Sequence, residues 1–393
     1  MDNKFMLTPR TLHQRLAFFT TLRLTINTSI RMIYPFMAFF AASLDRDIGM
    51  ISLALAVSMA TSAAGPFVAP IADRRGRKVG MLIGLGIFLA GVIPVSIFPG
   101  YFTFFLAIML GNLGNNIFLP AMQAYLGDHS PYEKRGFVMA ITELSWALSF
   151  ILLVPLAGLL MEWTTWYGPF IALSAAGILM VILLIILIPA DHPADPEPIT
   201  IFSDIKKVIL YLPAVFGILT GTLFISGNEV VSVVFGVWMQ SSFGLQVAAL
   251  GAASMVIGFA ELGGEGLVAL ITDRLGKERT IGLSLILNAL WVISLPWLGK
   301  SEAGAFIWLF VFYLTFEIAI VSILPLISEI TPATRATMMS LFIAALSLGR
   351  ALGDVLAPIL YRGGFLVNAA VCAGLDILAL LALTQIKLPK DAK

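Results

Sequence analysis

Twelve long apolar stretches, each closed by a short polar or Gly/Pro-containing break, set the pattern of this chain. They run over residues 17–42, 49–72, 79–99, 101–126, 137–161, 166–189, 208–238, 246–271, 280–298, 303–328, 336–361 and 365–386. A helix needs roughly 20 mostly apolar residues to cross the hydrocarbon of a bilayer, and each stretch is about that long. None shows the ten-residue alternation of a membrane barrel, so the pattern predicts twelve transmembrane helices and an all-α membrane protein.

One polar segment between the stretches is long. Residues 190–207, ADHPADPEPITIFSDIKK, are rich in proline and acids, a poor helix core, and divide the chain six and six. This predicts an N-terminal six-helix bundle over 1–189, a cytoplasmic linker over 190–207 and a C-terminal six-helix bundle over 208–393. The two halves echo each other. PIADRRGRKVGM, residues 70–81, follows the second stretch of the first half, and LITDRLGKERTI, residues 270–281, follows the second stretch of the other. A second echo comes after the fourth stretch of each half. There Leu-Pro is followed by acid-x-x-Pro and then Arg: Asp128, Pro131 and Arg135 against Glu329, Pro332 and Arg335. Repeated halves joined by a linker are the mark of one class of secondary transporters.

Composition agrees. Of 393 residues 59% are hydrophobic and 12% charged, too little polar surface to solvate a water-soluble globule of this size. With the N-terminus inside, 18 of the 24 Lys and Arg residues fall on the cytoplasmic side, Arg46, Lys300 and Arg362 fall outside, and Arg23, Arg31 and Arg350 lie within helices. The asymmetry predicts cytoplasmic termini and a bacterial-type inner membrane. Arg23, Asn27 and Arg31 interrupt the first stretch and no small-residue cleavage site follows it, so it is expected to stay as a helix. A net charge of +1 and the want of any basic domain give no sign of nucleic-acid binding, and a single cysteine, Cys372, allows neither an internal disulfide nor a cysteine-built metal site. No cofactor or metal is expected.

The repeated loops carry a family resemblance. The chain resembles the major facilitator superfamily, whose loop between helices 2 and 3 reads approximately Gly-x-Leu-Ala-Asp-Arg-x-Gly-Arg-Arg; here it is Ala69 to Lys78, with Ala69 in place of the first glycine. The second copy, with Asp273, Arg274, Gly276 and Lys277, departs at the same place, with Ala269. Asp73, Arg74, Gly76 and Arg77 thus form a gating motif with Asp128 and Arg135, echoed by Asp273, Arg274, Gly276, Glu329 and Arg335. The resemblance implies that Asp73 latches the two halves in the outward-facing state. The residues alone imply only that the glycine permits a tight turn and that the bases sit among anionic headgroups and fix topology.

Seven acids and three bases lie within the apolar stretches, where each ionised group costs about 2.5–3.5 kcal/mol or more and needs a partner, a water-filled cavity or a task. An acid without a counter-charge is better held there as the neutral form, which is what proton coupling requires. Glu261 and Glu265, four apart on the eighth helix, are candidates to share a proton, or one of them pairs with Arg31 or Arg350. Arg350 and Asp354, also four apart, form either a local ion pair or part of the proton path. Glu143, near the start of the fifth helix, is a further proton-coupling candidate. Asp376 has no assigned role. In the superfamily helices 1, 4, 7 and 10 line the central cavity. The resemblance therefore nominates Arg31, Asn112, Asn116, Asn228, Glu229 and Glu317 for substrate binding, with Asn115 and Gln123 on the same helix as Asn112. Asparagines also bind helices together, and that reading stays open. Tyr34, Trp146, Phe235 and Trp238 are aromatic groups able to stack on a substrate.

No Gly-x-x-x-x-Gly-Lys-Ser/Thr loop is present, which excludes a built-in ATPase of that kind, and His13, His129 and His192 all lie outside the spans, so a histidine-based enzyme is not expected. The expected activity is proton-coupled efflux of a cationic or amphipathic small molecule by alternating access, by a monomer with substrate, protons and membrane lipid as its partners. The alternatives are proton symport of a sugar, polar metabolite or organic anion, and a transport-inactive receptor or scaffold on the same fold. Two places depart from the superfamily's antiporters: Ala107 stands where they often carry an Arg four residues before a Gly, and Val154–Gly158 only partly matches their Gly-Pro motif.

Overall fold

A computed structural model of the chain describes residues 9–65, 76–131, 134–189 and 201–386, and all of its regular structure there is helical. In chain order the helices are α1 Pro9–Arg31, α2 Met37–Ser43, α3 Ile48–Ser62, α4 Arg77–Ile97, α5 Tyr101–Asp128, α6 Arg135–Glu143, α7 Ser145–Leu148, α8 Val154–Trp163 and α9 Gly168–Leu187. The second half of the chain begins with α10 Ile201–Leu210, whose first seven residues lie in the segment expected as linker, and continues with α11 Leu212–Ser232, α12 Phe235–Phe243, α13 Val247–Leu275, α14 Lys277–Ile293, α15 Leu295–Leu298, α16 Glu302–Ile330, α17 Arg335–Tyr361 and α18 Phe365–Leu383.

Among the described residues nine of the twelve expected spans are long and apolar enough to cross a bilayer. The other three differ for identifiable reasons. The first carries Arg15, Arg23 and Arg31 and breaks at 32–36, around Pro35. The second is described only as far as residue 65, and the ninth is broken at Ser294–Leu295, ahead of Pro296, which has no N–H to continue the helix. The outward faces are apolar, as lipid requires: Ile186 on α9 is 70% exposed, and Ile182, Ile185, Leu366, Ile377 and Leu381 are exposed as well.

Two compact units are present, one of Met1–Ile33 and Ala64–Glu197, the other of Tyr34–Ala63 and Pro198–Lys393. In the first, α4 packs along α5 and α9. The α4–α5 crossing is close because it is built on glycine: a Cβ on Gly84 would lie 2.6 Å from the Gly114 carbonyl oxygen, and one on Gly114 would lie 2.5 Å from that of Gly84. In the second unit, α11 packs on α17 and α18, α16 on α13 and α14, and α3 along α17. Its core gathers Phe224, Phe316, Ile323, Leu326, Phe342 and their neighbours.

The internal repeat is visible in the backbone. Gly76 (φ 96°, ψ 151°) opens α4 and Gly276 (φ 81°, ψ 150°) opens α14, the same conformation, one open essentially to glycine alone. Each is followed by a base that pairs with an acid at the end of the fourth helix of its own half: Arg77 Nε lies 3.5 Å from Asp128, and Lys277 is bonded to Glu329. Asp73 and Arg74 fall outside the described residues.

Candidate functional site

The first and seventh spans, which correspond in the two repeats, are both interrupted. The first breaks at 32–36, the seventh at Val233–Val234 between α11 and α12. Interrupted spans at matching positions of the two halves are the local signature of a transporter's binding region, because the freed backbone is tolerated only where it lines a site. The two breaks touch: a Cβ on Gly236 would lie 2.3 Å from the carbonyl oxygen of Pro35, so nothing larger than glycine fits.

Tyr34, in the first break, donates its hydroxyl to Glu229 Oε1 at 2.6 Å, and Glu229 sits one turn before the second break. The other carboxylate oxygen of Glu229 takes Arg350 Nη1 of α17 at 3.2 Å. Tyr34 and Glu229 are buried and Arg350 is half-buried. The arginine thus pairs across helices with Glu229. Asp354, four residues further along α17, is fully buried, and neither of its carboxylate oxygens meets a donor. Its carboxyl group faces that of Glu229, and two acids in contact can bond only through a shared proton. Glu261 on α13 lies within electrostatic range of the same guanidinium.

The position of Asp354 follows from a proline. Pro358 inside α17 has no N–H for the carbonyl four residues back, which is that of Asp354. Ser52 of α3 donates its hydroxyl to that orphaned oxygen. That bond ties α3 to α17 at the residue whose carboxyl group joins the cluster.

A second polar chain leaves Asn228. Ser232 Oγ donates to Asn228 Oδ1 at 3.0 Å, and Tyr313 of α16 donates to Ser232 at 2.7 Å. Glu317, one turn from Tyr313, is buried against α13, where a Cβ on Gly264 would meet the Glu317 side chain at 2.6 Å. Glu265 is half-buried on α13. Asp376 is buried beside Cys372 and against Gly227 of α11.

The first unit holds the bases. Arg23 grips Glu143 through both guanidinium nitrogens, at 2.7 and 2.9 Å, and Gln123 of α5 adds a bond to the same carboxylate at 3.2 Å. Arg31 donates to the Trp146 carbonyl at 3.1 Å, and its guanidinium lies 4.1 Å from the Trp146 ring and 3.7 Å from that of Phe150. Phe150 lies in a π-helical turn over Ser149–Leu153, just ahead of Pro155, and Trp146 lies one turn before it in α7. Asn112 is buried on α5, and Asn116 lies beside Gly65, its Nδ2 buried without an acceptor. Trp238 is stacked on Phe365 at 4.3 Å and Phe235 is buried near Tyr313, so both pack within the unit.

The candidates thus fall into groups. Glu229, Asp354, Arg350 and Glu261 come together, with Tyr34 as a member nominated only as a stacking group. Glu143 is drawn to Arg23, and Arg335 to the Ser328 carbonyl. No spacing along the chain announces the bond between Tyr34 and Glu229, 195 residues apart. The paired interruptions are the signal that would have found it.

Known proteins match this chain along most of its length. An uncharacterised MFS-type transporter, YceJ of Bacillus subtilis, is 26% identical over 357 residues, covering 88% of this chain and 89% of its own. The inner membrane transport protein YdhP of Escherichia coli is 24% identical over 84% of this chain and 85% of its own. Among solved structures, the nucleoside transporter NupG superposes with a TM-score of 0.78 at 13% identity, covering 95% of this chain and 99% of that one. A bacterial homologue of the lysosomal transporter Spinster does so with 0.72 at 14%, covering 97% and 95%. At such identities the structures share the fold. The family profile itself matches residues 19–327, more than half of the chain, and the protein belongs to the Major Facilitator Superfamily.

Proposed function

We propose that this integral membrane transporter couples proton movement to the efflux of cationic or amphipathic small molecules, as a monomer of two six-helix halves, and that Glu229, Asp354, Arg350 and Tyr34 form its coupling centre. One observation carries the reading. Five acids of the second unit are buried, Glu229, Glu261, Glu317, Asp354 and Asp376, and the buried bases Arg23 and Arg31 both belong to the other unit. Arg350 is the base set among three of those acids. Glu229 and Asp354 face one guanidinium, so ionising both leaves one negative charge uncompensated out of water, at several kcal/mol. Binding a proton or a cation relieves that cost, and the two compete for the same place, which is the requirement for exchange. Tyr34 and Ser52 hold Glu229 and Asp354 in position, so the competition is felt at the interrupted spans. Arg77–Asp128 and Lys277–Glu329 brace the cytoplasmic helix ends, and Asp73 serves as the latch.

The test is transport in proteoliposomes under an imposed pH gradient, with a fluorescent lipophilic cation as substrate. The gradient should drive accumulation by the native protein. Asp354→Asn should abolish that accumulation while leaving gradient-independent exchange of the cation. Gradient-driven accumulation that survives Asp354→Asn, Glu229→Gln and Glu261→Gln alike overturns the assignment. A second reading, proton symport of an organic anion, is favoured by one feature, the Arg31 guanidinium held between Trp146 and Phe150. It predicts anion flux lost in Arg31→Gln and no cation flux.

A further inference from the structure

Where α3 begins and α17 ends, the two helices leave a cavity of about 470 Å³ lined by Asp47, Gly49, Leu53, Val355, Ile359 and Arg362, among others. That volume falls within the range of small-molecule sites, about 300–1,000 Å³. Its two ends differ in chemistry. Leu53, Val355 and Ile359 form an apolar wall, all three more than 40% exposed, on the lipid-facing side of a spanning helix pair. Asp47 and Arg362 stand at the helix ends, where spans meet the headgroup region, and both are exposed. Asp47 caps α3 with one carboxylate oxygen, which accepts the Met50 N–H at 2.8 Å; the other oxygen remains for a ligand. Arg362 makes no ion pair among the described residues.

We infer that this groove holds one phospholipid of the surrounding bilayer whose headgroup ends in a primary ammonium. Charge complementarity selects it. The Arg362 guanidinium matches a phosphodiester, a fork of donors against planar oxygens. The Asp47 carboxylate matches the ammonium N–H groups beside that phosphate, and one acyl chain runs down Leu53, Val355 and Ile359. A quaternary choline has no N–H to give Asp47, and a glycerol headgroup has no positive charge. Pro358 of α17 lines the groove beside these residues. The inference stands apart from the transport reading, since no residue of the coupling centre lines the groove.

The test is native mass spectrometry of the full chain released from detergent carrying phosphatidylethanolamine, phosphatidylcholine or phosphatidylglycerol at equal concentration. The native protein should retain one phosphatidylethanolamine about tenfold better than phosphatidylcholine, the order of one charge-assisted hydrogen bond. Asp47→Asn keeps the helix cap, because Asn caps as well as Asp, and should erase that preference without unfolding the protein. Arg362→Gln should lower retention of every phospholipid, and Lys300→Gln, a base away from the groove, should change nothing. Equal retention of the three lipids by the native protein overturns the inference, as does a preference that survives both Asp47→Asn and Arg362→Gln.

Discussion

Removing one acid from the Glu229–Asp354–Arg350 cluster should destabilise the protein, and removing the other should not. Glu229 lies 3.2 Å from the Arg350 guanidinium. At that separation and an effective dielectric constant near 20 the Coulomb attraction is about 5 kcal/mol before desolvation is counted. Stripping a buried charge of its partner costs about 3–5 kcal/mol. Here Arg350 is 26% exposed and Asp354 stands beside it, so the expected loss for Glu229→Gln is smaller, about 2 kcal/mol. Asp354 meets no donor, so Asp354→Asn removes a buried acid and supplies an N–H to Glu229. Its stability should be unchanged or raised. Together the two substitutions leave Arg350 with neither carboxylate, and the loss should exceed the sum of the single losses by about 2 kcal/mol. The assay is the midpoint of thermal unfolding of the purified protein in one detergent at one scan rate. The Glu229→Gln midpoint should fall by several degrees, the Asp354→Asn midpoint should hold or rise, and the double variant should fall furthest. Strictly additive midpoints would show that the two acids do not share the arginine, and a large loss in Asp354→Asn alone would show that its carboxylate is paired after all.

Gly236→Ala places a Cβ 2.3 Å from a backbone oxygen that cannot swing aside, and should cost about 1–3 kcal/mol and suppress transport; unchanged unfolding and turnover would separate the two interrupted spans. Gly276→Ala meets no neighbouring atom, so its cost is backbone strain alone, about 1–2 kcal/mol at φ 81°, read from the same unfolding midpoint; no loss would refute that backbone. Ser52→Ala leaves the Asp354 carbonyl without a donor and should cost about 1–3 kcal/mol, rescued in Ser52→Thr but not in Ser52→Val. Arg77→Ala and Lys277→Ala break partly exposed pairs worth about 0–1 kcal/mol, so both should alter transport rate with little change in midpoint; a change in only one of the two would argue against equivalent roles.

The architecture was legible because the bilayer imposes a coarse rule on composition. Runs of about 20 apolar residues and the two echoes reported helices, family and repeat without any tertiary information. The echoes extended further than their letters: Arg77–Asp128 and Lys277–Glu329 are the same contact made twice, with the same glycine conformation before each. The candidate site was legible only as an inventory. An acid within a span declares that it needs a partner, but the partner is chosen by packing between helices, and four-residue spacing along α17 pointed to Arg350 and Asp354 where the ion pair runs to Glu229. The same limit hid the bond from Arg23 to Glu143, although Arg23 stood on the polar face already marked by Asn27 and Arg31.

Prolines carried the local information that spacing did not. Pro35 marks the first break, Pro155 the π-helical turn, and Pro358 frees the one carbonyl through which Ser52 fixes Asp354. Each removes a backbone donor inside a span, and in hydrocarbon the group left behind must be satisfied by something specific. That obligation links the fold to the chemistry. The residue answering an orphaned carbonyl becomes a fixed point, and in α17 the fixed point lies on the backbone of an acid whose side chain has no donor of its own. A carboxyl group on a backbone so held has only its own rotamers with which to reach a partner, and under the proposed coupling its charge would be compensated by a proton or a cation entering the cluster.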